Sequence, residues 1–191
     1  MSTEPTPEIE EHRFTDDGVV PNNSRLPLIV YRGALDTGPG AAAACEKLFA
    51  GNGWSGGWRG GVYPYHHYHT TAHEALGIVA GSAKVRLGGD NGAVVDLNAG
   101  DAVVIPAGVA HKGEAASPDL LIVGAYPGGA SACYGSGVRH SRTVDRALGH
   151  RLRLSLKACC RASMPGAPAA TNSPPLSRHR RRAVGCRCRC R

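Results

Sequence analysis

A histidine-rich run over residues 66–74, HHYHTTAHE, holds the side chains best suited to chemistry. In an extended strand alternate side chains share a face, so His67 and His69 point the same way, with backbones roughly 7 Å apart. A tight turn after His69 would bring Glu74 back beside them. Two imidazoles and a carboxylate on one face can ligate a transition-metal ion. A fourth ligand must come from elsewhere, and His111 is the candidate.

The spacing of these residues forms a motif. It runs His, any residue, His, four residues, Glu, six residues, Gly, and it is filled by His67, His69, Glu74 and Gly81. The two imidazoles sit on one strand of this motif, and the carboxylate begins the next. The motif therefore places three candidate ligands on a pair of adjacent strands.

A second motif follows further along the chain. It runs Gly, five residues, Pro, any residue, Gly, two residues, His, and it is filled by Gly100, Pro106, Gly108 and His111. Together the two motifs resemble those of the cupin family, and the resemblance is closest to small single-domain bacterial cupins. Many cupins carry Asn four residues after the last His, where this chain has Ala115. That position is not a ligand.

The resemblance implies a small antiparallel jelly-roll barrel that holds one divalent metal ion through His67, His69, Glu74 and His111. It also implies a small-molecule ligand or substrate and a homodimer. The ligand types alone do not select among Fe, Mn, Ni, Cu, Co and Zn. Four protein ligands leave one or two positions open for chemistry. Glu74 is the first catalytic candidate, because a carboxylate that loosens from the ion can accept a proton.

Three functions fit such a site. One is an enzyme, either oxygenase-like on a small apolar or aromatic substrate or a metal-dependent isomerase. Another is a non-catalytic protein that binds or senses a metal or small molecule. A purely structural ion fits least well, because a barrel of this length has enough core to fold without one. A second polar group inside the barrel would favour the enzyme.

Three nearby side chains have alternative interpretations. Tyr65 shares the ligand face and is the second catalytic candidate, since it could donate a hydrogen bond to a substrate oxygen. The alternative for Tyr65 is packing with a satisfied hydroxyl. By strand alternation, His66 and His73 point outside the barrel and have structural or surface roles.

The formal net charge of +7 is unevenly distributed along the chain. Residues 137–191 hold 14 of the 22 Lys and Arg and one of the 15 Asp and Glu, a net of +13, which leaves a net of −6 before them. The basic total is therefore no evidence that the folded domain binds nucleic acid. Apolar runs fall short of the roughly 20 residues of a membrane helix, so we expect a cytoplasmic protein without a membrane partner. Cys45 and Cys133 are isolated, which favours reduced thiols.

The fold class predicted is all-β: a small antiparallel jelly-roll (cupin) barrel with one short N-terminal helix and an irregular C-terminal tail. The helix is predicted over Ala41–Ala50. Residues 52–61 are rich in glycine, and we expect a loop in which Trp54 and Trp58 lie over apolar surface. Alternation and turn residues predict strands over Leu26–Tyr31, Tyr63–His69, Glu74–Ala80, Ala83–Leu87, Ala93–Leu97, Ala102–Ile105, Val109–Lys112 and Leu120–Tyr126.

Three regions follow from this pattern. Residues 1–13 are predicted to be a disordered lead-in, because they are polar and lack apolar periodicity. Residues 14–129 form the cupin-like domain. Residues 130–191 are a basic, low-complexity tail predicted to be disordered. One hypothesis derives this tail from a shifted reading frame of the gene, and the rival is a basic arm for nucleic acid or acidic membranes.

Overall fold

The computed structural model describes residues 7–129 and 134–135, and antiparallel strands dominate them. One helix, α1, spans Ala41–Gly51, as predicted. The strands, from β1 to β11 in chain order, are Glu8–Phe14, Asn23–Arg32, Trp54–Gly60, Tyr68–His69, Glu74–Ala80, Ser82–Leu87, Ala93–Asn98, Ala102–Ile105, His111–Ala116, Leu121–Pro127 and Tyr134–Gly135. The predicted class, mostly antiparallel β-structure with one short helix, is confirmed.

Most strands lie in two sheets that face each other. The large sheet has six strands in the order β1-β2-β8-β5-β10-β3, and the small sheet has three in the order β7-β6-β9. The chain passes from one sheet to the other at Gly81, whose φ of +67° suits glycine. Among the described residues no ladder joins the edges of the two sheets, so the barrel expected from the sequence is not closed.

The main core lies between the two sheets. Alternate residues of each strand point into it, such as Leu76 and Ile78 on β5 and Val85 and Leu87 on β6, all at most 2% exposed. Burying an aliphatic side chain of this size contributes roughly 1.5–3 kcal/mol. The members of this inner core are Leu28, Val30, Leu76, Ile78, Ala83, Val85, Leu87, Val95, Leu97, Val103, Ile105, Val109 and Ile122.

Helix α1 covers the outer face of the large sheet. Ala41, Cys45 and Phe49 are spaced four apart, so they share one side of the helix, and all three are buried. They pack on small and branched side chains of the sheet in a second core. The helix approaches closely over Gly77, where an added Cβ would lie 2.5 Å from Cys45 Sγ.

The prediction of a disordered lead-in over residues 1–13 is wrong from Glu8 onward. Strand β1 pairs with β2 in a register that sets Glu10 opposite Val30. The strand forms the edge of the sheet, where charged side chains stay in water and hide the alternation of a strand. Arg32 Nε also donates a hydrogen bond to Glu10 Oε1 at 2.6 Å, which ties this edge to β2.

The glycine-rich segment predicted as a loop contains β3, the other edge of the large sheet. Its ladder with β10 sets Gly124 opposite Trp58 and Tyr126 opposite Ser55. Strand β3 thus has one residue more than β10 between these pairs, which is a β-bulge. Because of the extra residue, the two tryptophans point to opposite faces of the sheet. Trp54 lies in the second core under the helix, here called the outer core, and Trp58 packs against the inner core.

Most of the predicted tail lies outside the described residues. Tyr134 and Gly135 are the exception, because they form β11 and pair with His69 and Tyr68 of β4. The prediction of disorder is wrong at these two positions. The reading-frame hypothesis stays a prediction. Among the described residues, no helix has the length and apolar character that a membrane crossing requires.

Candidate metal centre

Backbone pairing brings the two histidine motifs side by side. The amide of His67 donates to the carbonyl of His111 at 3.2 Å, and the amide of His111 donates to the carbonyl of His67 at 2.9 Å. The amide of Gly108 donates to the carbonyl of His69 at 2.8 Å. The predicted strand over Tyr63–His69 is thus reduced to β4 and an isolated bridge at His67. Because the bridged residues are cross-strand neighbours, the ring centroids of His67 and His111 lie 4.0 Å apart.

Strand β5 delivers the carboxylate to these imidazoles. Glu74 is its first residue and lies opposite Ile105 of β8. By alternation it shares the inner face with Leu76, so its side chain enters the space between the sheets. Oε2 of Glu74 lies 3.1 Å from Nε2 of His69 and 3.2 Å from Nε2 of His111.

The spacing of these atoms fits a metal ion. One ligand atom from each of His67, His69 and His111 lies within 4.8 Å of the others, and all three residues are buried. Ligand atoms bound side by side to one ion at about 2.1 Å are about 3.0–3.4 Å apart in octahedral or tetrahedral geometry. The two separations from Glu74 to the imidazoles, 3.1 and 3.2 Å, lie within that range. An ion could therefore be held after small side-chain movements.

Electrostatics favour an ionised carboxylate at Glu74 and a neutral imidazole at His67. Burial raises the pKa of the Glu74 carboxyl, but hydrogen bonds from His111 and His69 outweigh it and lower that pKa below its ordinary value. Burial and the neighbouring His111 lower the pKa of His67 to about 4. The site therefore combines an ionised carboxylate with a neutral imidazole at His67, and both are forms that bind cations.

Backbone carbonyls orient two of the rings. Nδ1 of His67 lies 3.4 Å from the carbonyl of Tyr65, and Nδ1 of His111 lies 3.4 Å from the carbonyl of Val109. A carbonyl can only accept, so both contacts favour a proton on Nδ1. The Nε2 atoms of these two histidines would then be the ones to ligate an ion, and Nε2 of His111 would exchange its contact with Oε2 of Glu74 for the ion.

The sequence interpretation missed two residues behind Glu74. The hydroxyl of Tyr126 donates to Oε1 of Glu74 at 2.9 Å, and Nε1 of Trp58 donates to that hydroxyl at 3.1 Å. Alternation on the predicted strand could have found Tyr126, because it shares a face with Ile122 of the inner core. Trp58 could not have been found in this way, since its direction depends on the bulge in β3.

Tyr65 borders the cluster from the surface. Its side chain is 51% exposed and stacks on Tyr63, with ring centroids 5.1 Å apart. The edge of its ring meets His67, with centroids 6.0 Å apart. Its predicted contact with a substrate stays a prediction.

The two remaining histidines of the run have different positions. His66 is half-buried, and its Nε2 contacts Asp90 Oδ1 at 2.9 Å. His73 is buried, contrary to the outward position predicted by alternation, because residues 70–73 turn instead of continuing a strand. Its Nδ1 accepts a hydrogen bond from the amide of Ala107 at 3.0 Å. His73 therefore fastens the turn of the first motif to that of the second.

Comparisons with known proteins concern the family of the chain. A family model described as "Cupin domain" matches residues 58–123, which include all four clustered side chains. The uncharacterized protein YjlB of Bacillus subtilis (strain 168) is 47% identical over 123 residues, which cover 64% of this chain and 72% of the relative.

Solved structures resemble the chain more distantly. An acireductone dioxygenase from Bacillus anthracis, with a cadmium ion in its active centre, has 18% identity and a TM-score of 0.33 over 42% of this chain and 55% of its own. The QdtA 3,4-ketoisomerase from Thermoanaerobacterium thermosaccharolyticum has 20% identity and a TM-score of 0.31 over 37% and 54%. The chain thus spans little more than half of each. Its two complete motifs, the matching family model and the similarity to YjlB establish that this chain belongs to the cupin family.

Proposed function

We propose that this protein binds one divalent transition-metal ion through His67, His69, Glu74 and His111 and uses it in an oxygenase-like reaction. The observation that supports this is the convergence of three imidazoles and one carboxylate between two apolar sheets. Burying such groups is costly unless they are paired or coordinated. Glu74 and two of the imidazoles already share hydrogen bonds, and an ion would satisfy all four groups.

A bound ion would supply a Lewis-acidic centre with one or two open positions for substrate. The protein would supply the surroundings of that centre. Glu74 contributes a negative charge and can accept a proton at Oε2. Ile105 and Leu87, the pairing partners of Glu74 and His111, are apolar and help exclude water. These neighbours favour a small apolar or aromatic substrate.

A second candidate is a protein that binds or senses a metal or small molecule without turnover. The burial of the cluster favours this binding protein. The four residues are between 2% and 5% exposed, so a substrate would have to displace the residues that cover them. The hydroxyl of Tyr126 favours the enzyme instead, because it is a further polar group beside Glu74. A metal-dependent isomerase would use the same residues.

Two measurements test the proposal. Elemental analysis of protein purified without chelator is expected to find one transition-metal ion per chain. Oxygen uptake is then measured with phenolic and diketone substrates, and consumption that stops on metal removal is expected. One metal ion per chain without oxygen consumption would favour the isomerase or the binding protein over the oxygenase. Absence of metal, with no uptake of added Fe, Mn, Ni, Cu, Co or Zn, would contradict both metal-dependent enzymes and leave only a protein that binds a small molecule.

The proposal extends to organisation of the chain. We infer a cupin domain that begins before residue 14, a homodimer formed through an edge strand of the large sheet, and a cytoplasmic location. Both edge strands, β1 and β3, have one unpaired side among the described residues. Sedimentation equilibrium tests the dimer, and a monomer at all concentrations would contradict it.

A further inference from the structure

We propose that Tyr126 is a positioning residue for Glu74: its hydroxyl, oriented by the indole of Trp58, holds Oε1 and leaves Oε2 as the single oxygen offered to a metal ion. This inference rests on the proposed metal site and assigns a role to two residues outside the ligand set. It depends on three observations: the direction of a hydrogen-bond chain, the different partners of the two Glu74 oxygens, and a glycine that makes room for the indole.

The chemistry of the donors fixes the direction of the chain. An indole N–H can only donate, so Nε1 of Trp58 occupies acceptor capacity of the Tyr126 hydroxyl at 3.1 Å. An ionised carboxylate can only accept, so the proton of that hydroxyl is directed to Oε1 of Glu74 at 2.9 Å. Each member of the chain therefore has one orientation that satisfies its neighbours. A hydrogen bond to a charged acceptor is also stronger than one between neutral groups.

The two oxygens of Glu74 face different partners. Oε1 receives the hydroxyl of Tyr126, whereas Oε2 lies 3.1 Å and 3.2 Å from the Nε2 atoms of His69 and His111. A partial rotation of the carboxylate would move Oε1 away from the hydroxyl and break the hydrogen bond to Tyr126. The hydroxyl thus discourages both rotation and two-oxygen binding of an ion. The ring of Tyr126 adds to this restraint, because it meets His69 edge-on with centroids 5.4 Å apart.

A missing side chain lets Trp58 reach the hydroxyl. Gly124 lies opposite Trp58 in the ladder between β10 and β3. A Cβ built on Gly124 would overlap Cε2, Nε1 and Cζ2 of the indole, so the ring lies directly over this glycine. Gly124 and Tyr126 share a face of β10, and the indole that covers the first therefore donates to the second. The absence of a side chain at Gly124 is thus part of the arrangement.

The first test measures metal affinity with Co²⁺ as the probe. Wild-type protein, Tyr126→Phe and Tyr31→Phe are stripped with chelator and titrated while the visible absorption of bound Co²⁺ is recorded. Tyr31 is buried on the outer face of the same sheet, so its variant controls for the loss of a tyrosine hydroxyl. We expect Tyr126→Phe to bind Co²⁺ about 10- to 100-fold more weakly, as for other outer-shell partners. Tyr31→Phe should bind within about twofold of wild type, since Tyr31 packs in the outer core and not among the candidate ligands.

The outcomes separate this inference from the proposed function. If Tyr126→Phe binds Co²⁺ as tightly as wild type does, the positioning role is overturned and the metal site is left intact. Wild-type protein that binds neither Co²⁺ nor added Fe, Mn, Ni, Cu or Zn would overturn both. An equal loss of affinity in Tyr31→Phe would assign the effect to general destabilisation and also overturn the role.

The second test needs no metal. The chain has two tryptophans, so its nitrogen–proton correlation spectrum contains two indole signals. Trp58→Phe identifies the signal of Trp58. In metal-free Tyr126→Phe we expect this signal to move upfield, because the indole loses its acceptor, while the signal of Trp54 stays in place. Glu74→Gln should move the same signal by less, through the intervening hydroxyl. An unchanged signal in Tyr126→Phe would overturn the chain.

Gly124 is tested by adding the missing Cβ. Gly124→Ala should displace the indole, move the Trp58 signal upfield and weaken Co²⁺ binding about as much as Trp58→Phe does. We expect that effect to be roughly three- to tenfold, the range of one neutral hydrogen bond. If Gly124→Ala does not fold, Co²⁺ binding by Trp58→Phe tests the same hydrogen bond, because that variant also removes the indole N–H from Tyr126. Co²⁺ affinity equal to wild type in Trp58→Phe would remove Trp58 from the arrangement.

Discussion

The two faces of the large sheet differ in what they demand of the sequence. On the outer face, Ala75 and Val79 meet a helix through apolar contacts alone. On the inner face, Glu74 begins the same strand and must find hydrogen-bond partners from several other elements. Adjacent residues of β5 therefore serve opposite purposes. Apolar packing tolerates a change of volume at a moderate cost, whereas buried polar groups lose their partners as a set.

The largest expected effect is on metal binding at the inner face. His111→Ala removes one candidate ligand. The affinity for Co²⁺ should therefore fall by more than the roughly 10- to 100-fold that follows the loss of a ligand's hydrogen-bond partner. Cys45→Ala on the outer face is the control and should leave the affinity unaltered. Both are measured by Co²⁺ titration. Full metal content in His111→Ala would remove His111 from the ligand set.

The buried His73 should make the free energy of unfolding depend on pH. Burial lowers its pKa to about 4 from an ordinary 6.5. Above pH 6.5 it is neutral in the folded and unfolded states, so it adds no pH dependence. Between pH 6.5 and 4 the unfolded chain binds a proton that the folded chain does not. The free energy of unfolding should therefore fall as the pH falls through this window, by up to roughly 3 kcal/mol from this residue.

The matched variant is His73→Asn. Its side-chain oxygen can accept the hydrogen bond from Ala107 but does not titrate. Urea unfolding of metal-free protein at several pH values should show a shallower loss of stability than in wild type. His67 contributes its own loss in the same window, so a slope remains. Equal slopes in the two proteins would contradict a neutral, buried His73.

On the outer face, the free energy of unfolding should depend on side-chain volume. Gly77→Ala places a methyl group 2.5 Å from Cys45 Sγ and 2.9 Å from Leu35 Cδ1. We expect a loss of roughly 2 kcal/mol in the free energy of unfolding, typical of overpacking, with Co²⁺ affinity unchanged. Gly51→Ala is the control, because it ends the helix with nothing within 4 Å of an added Cβ. A loss of metal affinity in Gly77→Ala would show that the two faces are not independent.

The smallest expected effect is the coupling between Gly77 and Cys45. If the thiol is the obstacle, Cys45→Ala should recover part of the stability lost in Gly77→Ala. The two residues are in contact, so a coupling of roughly 1 kcal/mol is expected from a double-mutant cycle. Strict additivity of the two changes would place the strain elsewhere, at Leu35.

Strand alternation predicted the central elements well. Strands β5 and β8 have the predicted limits, Glu74–Ala80 and Ala102–Ile105, because their residues are buried and bounded by turns. The edges were harder to predict. Strand β1 carries charged residues and β3 carries glycines, and edge positions accept both. Their pairing partners, and not their composition, make them strands.

The sequence by itself determined which side chains could form the site, because two fixed spacings name His67, His69, Glu74 and His111. It also determined that the fold is antiparallel β-structure. Only the tertiary structure decided that His67 pairs with His111, that His73 is buried, and that Tyr126 and Trp58 stand behind Glu74. Spacing along a strand fixes the face of each residue, whereas turns, bulges and cross-strand register fix its neighbours, and these depend on distant parts of the chain.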